Sequence, residues 1–135
     1  MKNVSKILTS VALLSILLLT SCKKEETAPT PTTGGLSVNL KIAQRSTGAV
    51  IPDNLLSTWT IQASLYSDAG SLLKTQIFNS NTISFTELNP GNYQIYAGGT
   101  VLHATYGRIP LTNGSSGGQV QAGKTAYSPE MFFYY

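Results

Sequence analysis

ISFTELNPGNYQIYA, Ile83 to Ala97, sets apolar residues at every second position, breaks off at a Pro-Gly pair, then resumes. A strand turns successive side chains to opposite faces, so Ile83 and Phe85 share one face, and Tyr93, Ile95 and Ala97 share another. Pro90-Gly91 supplies a turn, because proline presets φ and glycine tolerates the reversal. Leu88 lies between the two runs and is expected to plug the bend. Two half-buried strands joined across a corner are the elementary unit of an all-β core.

The same period recurs on either side. Leu36-Ser-Val38-Asn-Leu40-Lys-Ile42 and Trp59-Thr-Ile61-Gln-Ala63-Ser-Leu65 each alternate over seven positions. Gln44 to Ser57 is polar, punctuated by Gly48 and Pro52-Asp53-Asn54, and reads as a long loop. Ser67-Asp68-Ala69-Gly70 reads as a turn, and Leu72 to Phe78 as its returning hairpin strand, at an edge or carrying a bulge because its pattern is mixed. Thr100 to Tyr106 reads as a further strand. Ile109-Pro110-Leu111 is a weak strand that proline confines to an edge. Asn113 to Gly118 reads as a mobile glycine-serine loop. The end, Glu130-Met-Phe-Phe-Tyr-Tyr135, is apolar on both faces and calls for cover on both sides or a partner. About seven short strands with turns between them predict an all-β, Greek-key β-sandwich over residues 36–135.

The corner has a wider likeness. Its spacing of leucine, any residue, proline-glycine, any residue, tyrosine (Leu88, Pro90, Gly91, Tyr93) resembles that of prealbumin-like domains, among them the carboxypeptidase regulatory-like and collagen-binding B-type domains. Ser-Leu-Tyr-Ser-Asp-Ala-Gly, ending at Gly70, fits the same family's hairpin, and Gln119 to Thr125 fits the approach to its last strand. The resemblance implies a prealbumin-like sandwich. Some B-type domains also cross-link a first-strand lysine to a last-strand asparagine beside an acid. Lys41 and Glu87 could be two of those three, but Lys41 falls on the solvent face and the last strand lacks asparagine.

The chain holds a single cysteine among 135 residues, so no intramolecular disulfide is available and burial must hold the core. Cys22 follows a leader: Lys2 and Lys6 form a positive start, and Ile7 to Leu19 an apolar run. As a helix that run would rise roughly 20 Å, short of the roughly 30 Å hydrocarbon core. Leu19-Thr20-Ser21-Cys22 resembles the lipobox of bacterial lipoproteins. The resemblance implies a signal peptide over 1–21, cleavage before Cys22, and acylation of that cysteine. At about 0.8 kcal/mol per buried methylene, two or more acyl chains hold where one is marginal. The plainer alternative is a free thiol in an ordinary signal peptide.

Lys23-Lys24-Glu25-Glu26 resembles the charged export signal of surface-exposed lipoproteins of Bacteroidetes-type bacteria. Display at the cell surface is the implied location, and the inward-facing leaflet of the outer membrane the alternative. Thr27 to Gly35 is rich in proline and threonine and reads as a tether. Residues 22–35 thus link a membrane anchor to the domain, and Lys23 to Gly35 would span roughly 20 Å as a coil.

Charge excludes one class of partner. Charged residues make up 11% of the chain, under half the usual roughly 25%. Residues 1–35 carry four lysines against two glutamates; from 36 onward five basic residues face four acidic ones. A nearly neutral domain without a basic cluster lacks the footprint that nucleic acid requires.

Chemistry is equally sparse. His103 is the sole histidine, and no serine stands in a nucleophile-elbow setting. Zinc takes several Cys or His ligands, and calcium prefers carboxylate-rich loops, whereas Asp53, Asp68, Glu87 and Glu130 stand singly. No catalytic group, metal or cofactor is therefore expected. Period two sends Tyr96 outward beside Tyr93 and Ile95, and Tyr66 outward with Thr60, Gln62 and Ser64. Paired there, Tyr66 and Tyr96 could stack on sugar rings or anchor a protein; cross-strand packing is the bland reading. The expected function is that of a non-enzymatic, membrane-tethered binding or structural module, with an outer-membrane protein or a glycan as partner. The alternative is a carbohydrate-binding module of a glycan-uptake system.

Overall fold

A computed structural model describes residues 28–135. The leader, Cys22 and Lys23 to Glu26 lie outside the described residues. Eight strands follow in order: β1 Gly34–Ala43, β2 Leu56–Ser67, β3 Leu72–Phe78, β4 Thr82–Leu88, β5 Gly91–His103, β6 Gly107–Val120, β7 Thr125–Tyr127 and β8 Met131–Tyr134. A single turn of 3-10 helix, Asp53–Leu55, precedes β2.

The strands form two sheets. In one, β1 pairs antiparallel with β4 on one side and parallel with β7 and then β8 on the other. The other runs β3-β2-β5-β6, all antiparallel. Both β7 and β8 pair with β1, so they act as one strand interrupted at Ser128 to Glu130. The chain crosses between sheets after β1, β3, β4 and β6, which is a Greek-key sandwich.

The core lies between the sheets and follows the alternation. Leu36, Val38, Leu40 and Ile42 of β1 are buried, as are Trp59, Ile61, Ala63 and Leu65 of β2. Ile83, Phe85, Leu88, Tyr93, Ile95 and Ala97 fill the space around the corner. The Tyr93 hydroxyl donates to the Asn89 carbonyl at 2.8 Å, which ties the ring back to the turn and explains a tyrosine at that spacing. Every buried side-chain nitrogen and oxygen among the described residues has a hydrogen-bond partner.

Three strands each reverse their inward face once. Thr58, Glu87 and Asn113 have φ of 49°, 59° and 60°. Each sits at a register shift where its strand carries one extra residue, a β-bulge. The bulge in β2 moves burial from Leu56 to Trp59; that in β4 moves it from Phe85 to Leu88; that in β6 moves it from Leu111 to Gly114.

The strand map corrects the sequence reading in five places. The loop from Gln44 does not reach Ser57, because Asp53–Leu55 is a 3-10 turn and Leu56-Ser57 already pair with β5 as the start of β2. Asn113 to Gly118 is no loop: it is the middle of β6, with Gly114 to Gly118 paired to Ala97 through Tyr93. Glycine is required at position 114, since a Cβ would lie 2.6 Å from the Met131 sulfur and run into the Phe133 ring. Thr100 to Tyr106 is not a separate strand, because Thr100 to His103 continue β5 and Thr105-Tyr106 form the turn into β6. Gly34 and Gly35, read as tether, belong to β1 and pair with Leu88 and Thr125. The end is covered on one face alone: Met131 and Phe133 are buried, while Phe132 and Tyr134 are exposed. The expected edge positions hold. Pro110 lies in the edge strand β6, and β3 is the opposite edge, with its bulge at Leu73.

Candidate binding surfaces

The outer face of the β3-β2-β5-β6 sheet is shaped rather than flat. A groove of about 630 Å³ runs across it, lined by Thr60, Gln62 and Ser64 of β2, Ile77 of β3, Tyr96 to Thr100 of β5 and Leu111 to Gly114 of β6. Its depth comes from the backbone. Gly98 and Gly99 bring no side chain to the floor, and a Cβ on Gly99 would strike the Thr60 carbonyl. Opposite them, the bulge at Asn113 turns Thr112 and Asn113 both outward, raising the far wall. All thirteen lining residues are uncharged, and most offer hydroxyl, amide or bare peptide groups.

Tyr96 is the ridge between this groove and a second cleft of about 510 Å³, lined by Tyr66, Ser67, Asp68, Gly70 and Gln94. Tyr66 and Tyr96 do meet on the outer face, with ring centroids 5.4 Å apart, but their planes stand at 88°. That edge-to-face contact is a favourable aromatic pairing, and it does not make a flat double platform. Tyr66 is half-buried as the brace, and Tyr96, 53% exposed, is the ring left free.

The other sheet presents a row of exposed aromatics along β7 and β8: Tyr127, Phe132 and Tyr134. Phe132 lies opposite Lys41 of β1. The Lys41 ammonium reaches the Asp53 carboxylate at 3.1 Å, and both groups are partly solvated. Glu87 sits near the far end of β1, opposite Gly34 to Leu36, five or more residues from Lys41. At about 3.3 Å per residue the two are too distant to share a cross-link.

His103 is buried at the end of β5. Its Nδ1 accepts hydrogen bonds from the Thr105 and Tyr106 amides at 2.9 and 3.1 Å, which fixes the neutral tautomer with the proton on Nε2. Tyr106 stacks on the ring at 4.5 Å. The imidazole thereby closes the β5–β6 turn, and no carboxylate among the described residues hydrogen-bonds it. Among the described residues no group of three or more His, Cys, Asp or Glu side chains could hold a metal ion.

Sequence reasoning placed Tyr66 and Tyr96 together on the outer face but missed the groove beside them. The available signal was Gly98-Gly99 inside an otherwise alternating strand, since such glycines mark bulges or close backbone approach. Compared with known proteins, the chain matches no family model and no curated protein.

Proposed function

We propose that this chain is a non-enzymatic outer-membrane lipoprotein whose β-sandwich works as a binding or structural accessory module at the cell surface. The observation that carries the binding half is the uncharged groove of about 630 Å³ beside Tyr96 on an open sheet face. The anchoring half rests on the lipobox ending at Cys22, the charged run Lys23 to Glu26 and the proline-rich segment after it. Residues 28–32 are exposed and lie in no strand, in keeping with a tether that leads into β1. The prealbumin-like reading of the sandwich rests on the sequence spacing of Leu88, Pro90, Gly91 and Tyr93. Labelling cells with radioactive palmitate tests the anchor: the full chain takes up label, and Cys22→Ser does not. Protease treatment of intact cells then separates surface display from the inward-facing leaflet.

A second reading, carbohydrate binding, is favoured by the chemistry of the groove wall. Hydroxyl and amide groups of Thr60, Gln62, Ser64 and Asn113 beside one exposed aromatic ring suit a neutral sugar ring. Glycan-array screening of the full chain against Tyr96→Ala decides between them. A hit weakened about tenfold or more by the substitution supports the sugar reading, on the scale of one lost stacking contact. A blank array, with a membrane protein captured from the same cells, supports association.

A further inference from the structure

The cleft on the far side of Tyr96 has a chemistry of its own. Tyr66 pairs with Gln94 across the β2–β5 ladder and Tyr96 pairs with Ser64, so the two tyrosines are diagonal neighbours on the outer face. Their planes stand at 88° with centroids 5.4 Å apart, and the cleft they line is a corner bounded by two aromatic faces. Gln94 leaves that corner open. It leans away from Tyr66 toward β6, where a Cβ on Gly117 would lie 2.7 Å from its Nε2.

Charge completes the site. The turn after β2 is closed by the Gly70 amide donating to the Ser67 carbonyl at 2.9 Å, and by the Ser71 amide donating to the Ser67 hydroxyl at 3.3 Å. It carries Asp68 to the rim, the one charged residue in the lining. Lys74, the base nearest in sequence, pairs with core-facing Leu65 and so stands on the other face of the sheet. Among the described residues the one ion pair is Lys41–Asp53, which leaves the Asp68 carboxylate without a cationic partner. Such a carboxylate attracts a cation, yet among the described residues no cluster could hold a metal ion. Aromatic faces favour a cation with an apolar surface, drawn by the ring quadrupole. A primary ammonium keeps its tight hydration shell, whereas a methylated one has little to lose.

We infer that this cleft binds a quaternary ammonium group, seated against Tyr66 and Tyr96 with its charge balanced by Asp68. The cleft of about 510 Å³ has room for the methylated nitrogen and part of the chain that carries it. It shares only Tyr96 with the groove, so this inference and the sugar reading fail separately.

Ligand-observed NMR of the full chain with choline tests it. The choline methyl signal should shift saturably under the ring currents of the two tyrosines. The uncharged alcohol in which carbon replaces the nitrogen should bind about tenfold or more weaker. Asp68→Asn and Tyr96→Leu should each weaken choline by about threefold or more. The comparison of the two ligands on the unchanged chain depends on no variant folding. Absence of a saturable shift, equal affinity for choline and its neutral isostere, or tighter binding of lysinamide than of choline would overturn the inference. So would choline binding that neither substitution weakens.

Discussion

The two edges of the β3-β2-β5-β6 sheet are finished in opposite ways. At β6 the edge is closed against the other sheet. Ser128 donates to the Gly117 carbonyl at 2.6 Å, Ser116 donates to the Pro129 carbonyl at 2.9 Å, and Gly114 admits the Phe133 ring. At β3 no such seam exists, and Leu72, Leu73 and Ile77 remain in water. Small residues in β6 let a neighbour approach. An edge made of glycine and serine is finished within the chain, whereas the β3 edge is open and blunted by the bulge at Leu73 and by Lys74.

The contrast is most sharply broken by truncating each edge in turn. Phe133→Ala leaves a cavity at the closed seam and should cost about 3–5 kcal/mol in denaturant unfolding. Leu73→Ala on the open edge, measured in dilute solution, should stay within about 0.5 kcal/mol. Equal losses would mean that the edges are not different in kind.

Next in size, Gly114→Ala forces a methyl group against Phe133 and Met131 and should cost about 1–3 kcal/mol, read from the denaturant midpoint. Removal of the hydroxyl in Ser116→Ala should cost about 1 kcal/mol through its lost bond to Pro129. Tyr93→Phe should cost a similar amount, about 1 kcal/mol, by releasing the corner from Asn89. The smallest effect belongs to the solvated ion pair: Asp53→Asn should change stability by well under about 1 kcal/mol, and less still in high salt.

Which parts of this were readable beforehand follows from where the information sits. Leu36 to Ile42 and Trp59 to Leu65 announce themselves because burial on one face writes a period of two into adjacent residues. The corner is legible for the same reason, since Leu88, Pro90, Gly91 and Tyr93 act on one another within six positions. Asn113 to Gly118 is illegible because its strand is specified from elsewhere. The reasons for Gly114 lie in Phe133 and Met131, and the reason for Ser116 lies in Ser128 and Pro129. The bulge at Asn113 then flips the inward parity between Leu111 and Gly114, so alternation cannot be followed through it. The groove was hidden by the same bulge, since its floor and far wall are backbone features at Gly98, Gly99 and Asn113. Of the tyrosine pair, strand parity gave the shared face, while the 88° between the rings depended on packing.

Hydrogen exchange of the full chain addresses both edges in one experiment, because exchange reports local opening amide by amide. The amides of Gly114 to Gly118 that face β5 should be protected, while the amides of Leu72–Phe78 that point away from β2 should exchange rapidly. Loop-like exchange between Asn113 and Gly118, or outer amides of β3 as protected as those facing β2, would contradict a sandwich with one edge closed by its own chain and the other open to water.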